Sequence, residues 1–157
     1  MRSSAKIFLV AALASGLWAS ATQAAGVLAA FGGSYHGGGR ISDADGRSES
    51  LTCRSTNSPS SDGNALSLSF ACASDSYKVD FNASLNAEGG DLSGSWSESS
   101  TGGSGQISGT VGPGLINATT SGGFSANIVV RARGGRLDVS LSAQGAKINR
   151  VVVSMRR

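Results

Sequence analysis

Histidine is nearly missing from this chain of 157 residues, and cysteine, proline, tyrosine and tryptophan occur only twice each. Each shortage excludes something. Zinc and copper centres draw on several His or Cys ligands, and a Ser-His-Asp set needs a histidine with partners on both sides. His36, the one histidine, supplies neither, and on its strand it alternates outward as a surface residue. Cys53 and Cys72 form no C-x-x-C pair, and no cationic cluster stands beside either to activate its thiol. No metal, nucleotide or catalytic constellation is legible, so no cofactor is expected and the chain reads as a non-enzyme.

Long apolar runs are also scarce. The one stretch, Ile7 to Leu17, follows the basic Arg2 and Lys6 and precedes small residues, the pattern of a signal peptide. Cleavage would follow Ala21 or Ala24. This assigns 1–24 to a signal-peptide helix, 25–33 to a flexible linker and 34–157 to a single domain. It predicts a periplasmic or secreted protein with no stable membrane span after the signal is removed. Of 13 basic residues, two fall in the signal, leaving 11 against 10 acidic ones. Two cysteines in an exported chain predict one disulfide, Cys53–Cys72.

What the chain has in abundance is glycine, 23 residues, mostly at turns between short alternating apolar segments. A disordered tract has no reason to alternate. Asp62-Gly63, a strong hairpin signal, lies at the midpoint between Cys53 and Cys72. A turn at Ser74-Asp75 sets Cys72 opposite Tyr77 and Phe70 opposite Val79. A turn at Glu88-Gly89 sets Phe81 opposite Trp96. Thr101 to Gly103 sets Trp96 opposite Ile107, and Pro113-Gly114 turns the chain again. Ser121 to Gly123 sets Ala118 opposite Ala126, and Gly134-Gly135 sets Val130 opposite Val139. The last strand needs a β-bulge near Asn149-Arg150 to turn Val151, Val153 and Met155 inward. The first strand, Ser34 to Ser42, is anchored by Tyr35 and Ile41.

The fold class is therefore all-β: an antiparallel up-and-down meander of about 8–10 strands, closed or nearly closed as a barrel. A two-sheet sandwich is the alternative. Inward Gly94 and Gly109 allow tight bending. An outer-membrane barrel is disfavoured, because the outward positions are Ser, Thr, Asn and charge, and there are no aromatic girdles.

Two sites are suggested. Phe70, Tyr77, Phe81 and Trp96 form an inward aromatic group suited to lining a pocket for a small apolar ligand. Arg131, Arg133, Arg136, Lys147 and Arg150 concentrate cationic charge near the C-terminus, where Asp138 is the sole acid, and suit an anionic envelope component. Such arginines also protect strand edges from aggregation. Nucleic acid is not expected, since no aromatic platform lies among them. Asp80 and Glu98 read as a solvated outward pair, too polar in setting for a general acid. Asn82-Ala83-Ser84 and Asn117-Ala118-Thr119 match the glycosylation acceptor pattern.

The stretches LTCRS at 51–55, CASDSYKVDF at 72–81, GSWSE at 94–98, GFSA at 123–126 and SLSAQG at 140–145 carry a resemblance. The chain resembles an uncharacterised family of small exported Gly/Ser-rich β proteins of Gram-negative bacteria. The resemblance implies an exported β-domain and lends no catalytic residue. The expectation is a non-enzymatic barrel that binds an apolar molecule inside or a polyanion on its arginines. The competing expectation is a structural or stress-related envelope protein, or an inhibitor acting through protein contacts.

Overall fold

The computed structural model of the protein describes residues 25–157; the expected signal peptide at 1–24 lies outside the described residues. A 3-10 helix, Val27–Phe31, precedes ten strands. They are β1 (Gly33–Asp43), β2 (Ser48–Pro59), β3 (Ala65–Ala73), β4 (Lys78–Glu88) and β5 (Asp91–Glu98). There follow β6 (Gly103–Gly112), β7 (Leu115–Gly122), β8 (Ala126–Arg133), β9 (Arg136–Ala143) and β10 (Ile148–Arg156). Every strand pairs antiparallel with its neighbours in sequence, and β1 pairs with β10, so the meander closes into a barrel. Closure leaves no unpaired strand edge. Among the described residues no helix is long and apolar enough to cross a membrane.

Alternation produces the barrel's two faces. Along β2, Leu51, Cys53, Ser55 and Asn57 are buried while Thr52, Arg54 and Thr56 are exposed. Tyr35, Ile41, Leu66, Leu92, Val153 and Met155 continue the inward set. The closing seam depends on glycine: a Cβ on Gly39 would fall 1.9 Å from the Val152 carbonyl oxygen, inside the closest approach two atoms allow. A side chain there would force β1 and β10 apart. Gly94 and Gly109 likewise bring their backbones against neighbouring carbonyls, at 2.1 Å from a would-be Cβ in each case, which is how the wall bends tightly.

Cys53 and Cys72 face each other across β2 and β3, with Cα atoms 4.2 Å apart, and are joined in a disulfide. Restricting the unfolded chain by such a loop contributes on the order of 3 kcal/mol. A formed disulfide is the mark of an oxidising, non-cytoplasmic compartment.

Two pairings are as the turn residues predict, Cys53 with Cys72 and Val130 with Val139, and Pro113-Gly114 does turn the chain, setting Val111 opposite Ile116. Four hairpins are offset by two residues. Cys72 faces Val79, not Tyr77, and Phe70 faces Phe81. Trp96 faces Ala83 and Gly105, not Phe81 and Ile107. Ala118 faces Ile128, not Ala126. A two-residue offset keeps each side chain on its own face, so the inward set survives. The extra residue of the last strand is Asn149: on the β1–β10 ladder Ser42 pairs with Arg150 and Asp43 with Ile148.

The stretch 25–33 is not a free linker. Leu28 and Phe31 of its 3-10 helix are buried, and its backbone is tied to the β2–β3 turn by Gly26 N–H to Asp62 (2.8 Å) and Leu28 N–H to Gly63 (3.0 Å). The correction has a plain cause: the run Val-Leu-Ala-Ala-Phe is apolar and the barrel end beside it would otherwise be open.

Candidate functional site

The strands run alternately up and down, so one end of the barrel carries the turns after β2, β4, β6 and β8, together with the 3-10 helix. The other end carries the turns after β1, β3, β5, β7 and β9. At the first end the helix acts as a plug. Asn57 donates from Nδ2 to the Phe31 carbonyl (2.9 Å) and accepts from the Ser55 hydroxyl (2.7 Å), so both buried polar side chains of β2 are used in holding it. The Tyr35 hydroxyl donates to the Gly32 carbonyl (3.0 Å), Arg157 donates to the same carbonyl, and its guanidinium lies 5.5 Å from the Tyr35 ring centre.

Above the plug the barrel is hollow. A cavity of about 590 Å³ runs from Phe31 to the opposite turns. Its wall is apolar: Leu51, Leu68, Phe70, Ile128, Leu141 and Val151 contribute from five different strands. Residues such as Ala118 and Ala143, with glycine at positions 94 and 109, are too small to fill the centre of a ten-stranded barrel. Among the described residues no buried side-chain polar atom lacks a partner.

The mouth is polar and well ordered. Glu98 is buried there and accepts from the backbone N–H of Asp80 (3.1 Å), Ser100 (2.9 Å) and Thr101 (2.7 Å), and from the hydroxyls of Ser100 and Thr101. Burial alone would raise its pKa; these donors outweigh it and hold it at about 2. Asp43, also buried, accepts from the N–H of Asp45 and Arg47 and from the Tyr77 hydroxyl (3.3 Å). Burial opposes ionisation there too, and the same donors win, so its pKa is lowered. Burial and the Asp43 carboxylate in turn raise the Tyr77 phenol. Glu49 accepts from the Ser74 hydroxyl and the Ser76 N–H and so pins the β3–β4 turn. Each mouth carboxylate thus fixes a turn in its ionised form.

Phe70, Tyr77 and Phe81 lie along the cavity, and Trp96 does not. Its indole stacks on Phe81 (5.7 Å between ring centres) and meets Phe124 (4.4 Å), while Nε1 donates to the Ser121 carbonyl (3.1 Å). Gly103, Gly105 and Gly123 leave the room in which its ring lies. Trp96 therefore backs the cavity wall from behind. Phe31, Phe124 and the ends of the mouth turns complete the site, and only Phe31's place in an apolar run hinted at it.

Glu98 is not outward and not solvated. It lies two residues beyond Trp96, hence on the same face, and only Asp80 stays outside, where it pairs with Lys78 (3.1 Å). The five predicted anion-binding residues do not form one patch. Arg131, Arg133 and Arg136 flank the β8–β9 turn at the plugged end, whereas Lys147 and Arg150 lie at the mouth end. Six residues of β10 separate Arg150 from the level of Arg136, roughly 20 Å of strand.

No metal-ligating group of three or more His, Cys, Asp or Glu side chains occurs among the described residues. No protein-family model matches this chain, and no characterised protein matches its sequence.

Proposed function

We propose that this protein is a non-enzymatic binding barrel, periplasmic or secreted, that holds one small apolar molecule in its interior. The observation that carries this reading is the hollow of about 590 Å³, within the roughly 300–1,000 Å³ usual for small-molecule sites and walled by aliphatic and aromatic side chains. Burying about 300 Å² of apolar ligand surface would contribute roughly 7 kcal/mol before the cost of association. Affinity of tens of micromolar or weaker follows for a compact hydrophobe. With one end plugged, entry and exit run through the mouth, where any polar end of the ligand stays near solvent.

Hydrolysis is disfavoured by the same chemistry. A general acid must hold a proton near neutral pH. Glu98 and Asp43, the two carboxylates buried at the mouth, both have lowered pKa values and are ionised there. Export rests on the signal-peptide pattern at 1–24 and agrees with the disulfide.

The test is a titration of the folded, disulfide-intact protein with the fluorescent hydrophobe N-phenyl-1-naphthylamine, alongside native mass spectrometry of protein from its own cells. Saturable binding is expected, and Ile128→Trp, which fills the hollow, should weaken it about tenfold or more while leaving the strand spectrum intact. A wild-type protein that binds no probe and carries no ligand, or a filled variant that binds as well as wild type, would refute the reading.

A further inference from the structure

The ladders of the barrel line up four arginines and the one histidine, drawn from both ends of the domain. Arg133 of β8 faces Arg136 of β9, which faces Arg156 of β10. Arg156 faces His36 of β1, and His36 faces Arg54 of β2. Five neighbouring strands thus each present a basic residue at directly opposed positions, and all five side chains are on the outer, exposed face. The row ends at Ala71 of β3, beyond which lies Asp80 of β4.

This arrangement works against the fold, because like charges directly opposite on adjacent strands are destabilising. Local ion pairing relieves it at only one position. Asp138 pairs with Arg136 (2.9 Å), while Arg54, Arg133 and Arg156 have no carboxylate within 4 Å among the described residues. Nor do these arginines guard an exposed strand edge, since the closed barrel has none. An arrangement that costs stability and serves neither purpose is suited to a ligand of opposite charge.

We propose that this row is a docking track for a linear polyanion, a polymer with a phosphate, sulfate or carboxylate on each repeat. Adjacent strands are about 4.8 Å apart, so the row extends roughly 19 Å along the curved wall, with the side chains splaying further at their tips. Guanidinium forks bind all three anions in bidentate fashion. The shape favours a polymer over a lipid surface. Five of ten strands wrap half the barrel, so a flexible chain can follow the whole row while a flat bilayer meets only a few strands. Val152 is the one large hydrophobic exposed among the described residues, which leaves nothing to insert into lipid and no aromatic face for stacking bases.

Heparin and long-chain inorganic polyphosphate are the probes, titrated against the mature, disulfide-intact protein over a range of salt. Affinity should fall linearly with the logarithm of salt concentration, as phosphate-type contacts require. The triple variant Arg54→Ser/Arg133→Ser/Arg156→Ser should lose at least about tenfold in affinity and lower the salt slope by about two to three. Lys147→Ser/Arg150→Ser, at the far end, should change little. The proposal is overturned if neither polymer binds near physiological salt, if the far-end variant loses as much per charge as the row variant, or if phosphatidylglycerol vesicles bind more tightly than either polymer. Because removing like charges relieves repulsion, the triple variant should fold at least as well as wild type. Hydrophobe binding inside the barrel is a separate readout, so failure of one leaves the other standing.

Discussion

The two ends of the barrel solve opposite problems with different chemistry. The plug itself is held by the Asn57 amide, backbone N–H groups of residues 26 and 28, and the Arg157 guanidinium, with one carboxylate, Asp62, shaping the turn it is tied to. The mouth is held by ionised carboxylates, with Glu98, Asp43 and Glu49 each gathering a turn around itself. A seal made mostly of amide hydrogen bonds over apolar side chains is a permanent feature of the core. Turns gathered on carboxylates leave the centre of the mouth open and depend on pH.

The sharpest way to break this contrast is to remove the seal. Phe31→Ala empties a fully buried aromatic position next to an existing cavity and should cost about 3–5 kcal/mol in urea denaturation. It also turns a pocket into a tube, so release of a bound hydrophobe should accelerate. If the variant were destabilised by less than about 1 kcal/mol and released its probe at the wild-type rate, Phe31 would not be a seal.

Acid should act on the other end. Glu98 titrates at about 2 in the fold against 4.5 in the unfolded chain. A depressed folded pKa adds stability that is fully present above the unfolded value and is lost as pH falls from about 5 towards 2. The difference is worth about 3 kcal/mol. Hydrogen exchange should show amides of residues 99–102 losing protection before those of the plug. Glu98→Gln should flatten the acid limb of the stability profile. Equal loss of protection at both ends would remove the distinction between them. Within the plugged end, Asn57→Ala leaves the Phe31 carbonyl without its donor and should cost about 2 kcal/mol, with no change in acid sensitivity.

How far the sequence reveals all this depends on what sets each turn. Gly134-Gly135 and Asp62-Gly63 hold their turns through glycine at positive φ, a local property, and there the strand pairing is legible to the residue. Gly89-Gly90 is of the same kind, both at positive φ, and centring the turn one residue earlier causes the offset of β4 against β5. The turns after β5 and β7 differ. Glu98 draws Ser100 and Thr101 towards itself, and the Thr120 hydroxyl accepts from Ala126 N–H and donates to the Phe124 carbonyl. Those bonds are made by inward side chains, and no spacing of glycine reports them. The apolar wall was legible because a period of two survives any even slip, and its small inward residues pointed to room inside; the size of the hollow and the cationic row were not, since both depend on pairings summed around the whole barrel.

The smallest expected effect concerns Tyr77, which lies at the mouth as Phe31 lies at the seal. Tyr77→Phe removes a hydroxyl whose bond to Asp43 is long, 3.3 Å, while Asp43 keeps the N–H groups of Asp45 and Arg47. The cost should be under about 1 kcal/mol, and hydrophobe affinity should hardly move, because the ring still lines the entrance. Tyr77→Ala takes the ring as well. Its position is only partly buried, so it should destabilise the fold less than Phe31→Ala while speeding probe exchange through a wider mouth. The pair of aromatic truncations thus separates access from stability: at the plugged end both change together, and at the mouth only access does. Stopped-flow release rates and urea midpoints for the two variants decide it, and a Tyr77→Ala as unstable as Phe31→Ala would show that the mouth is as much a part of the core as the seal.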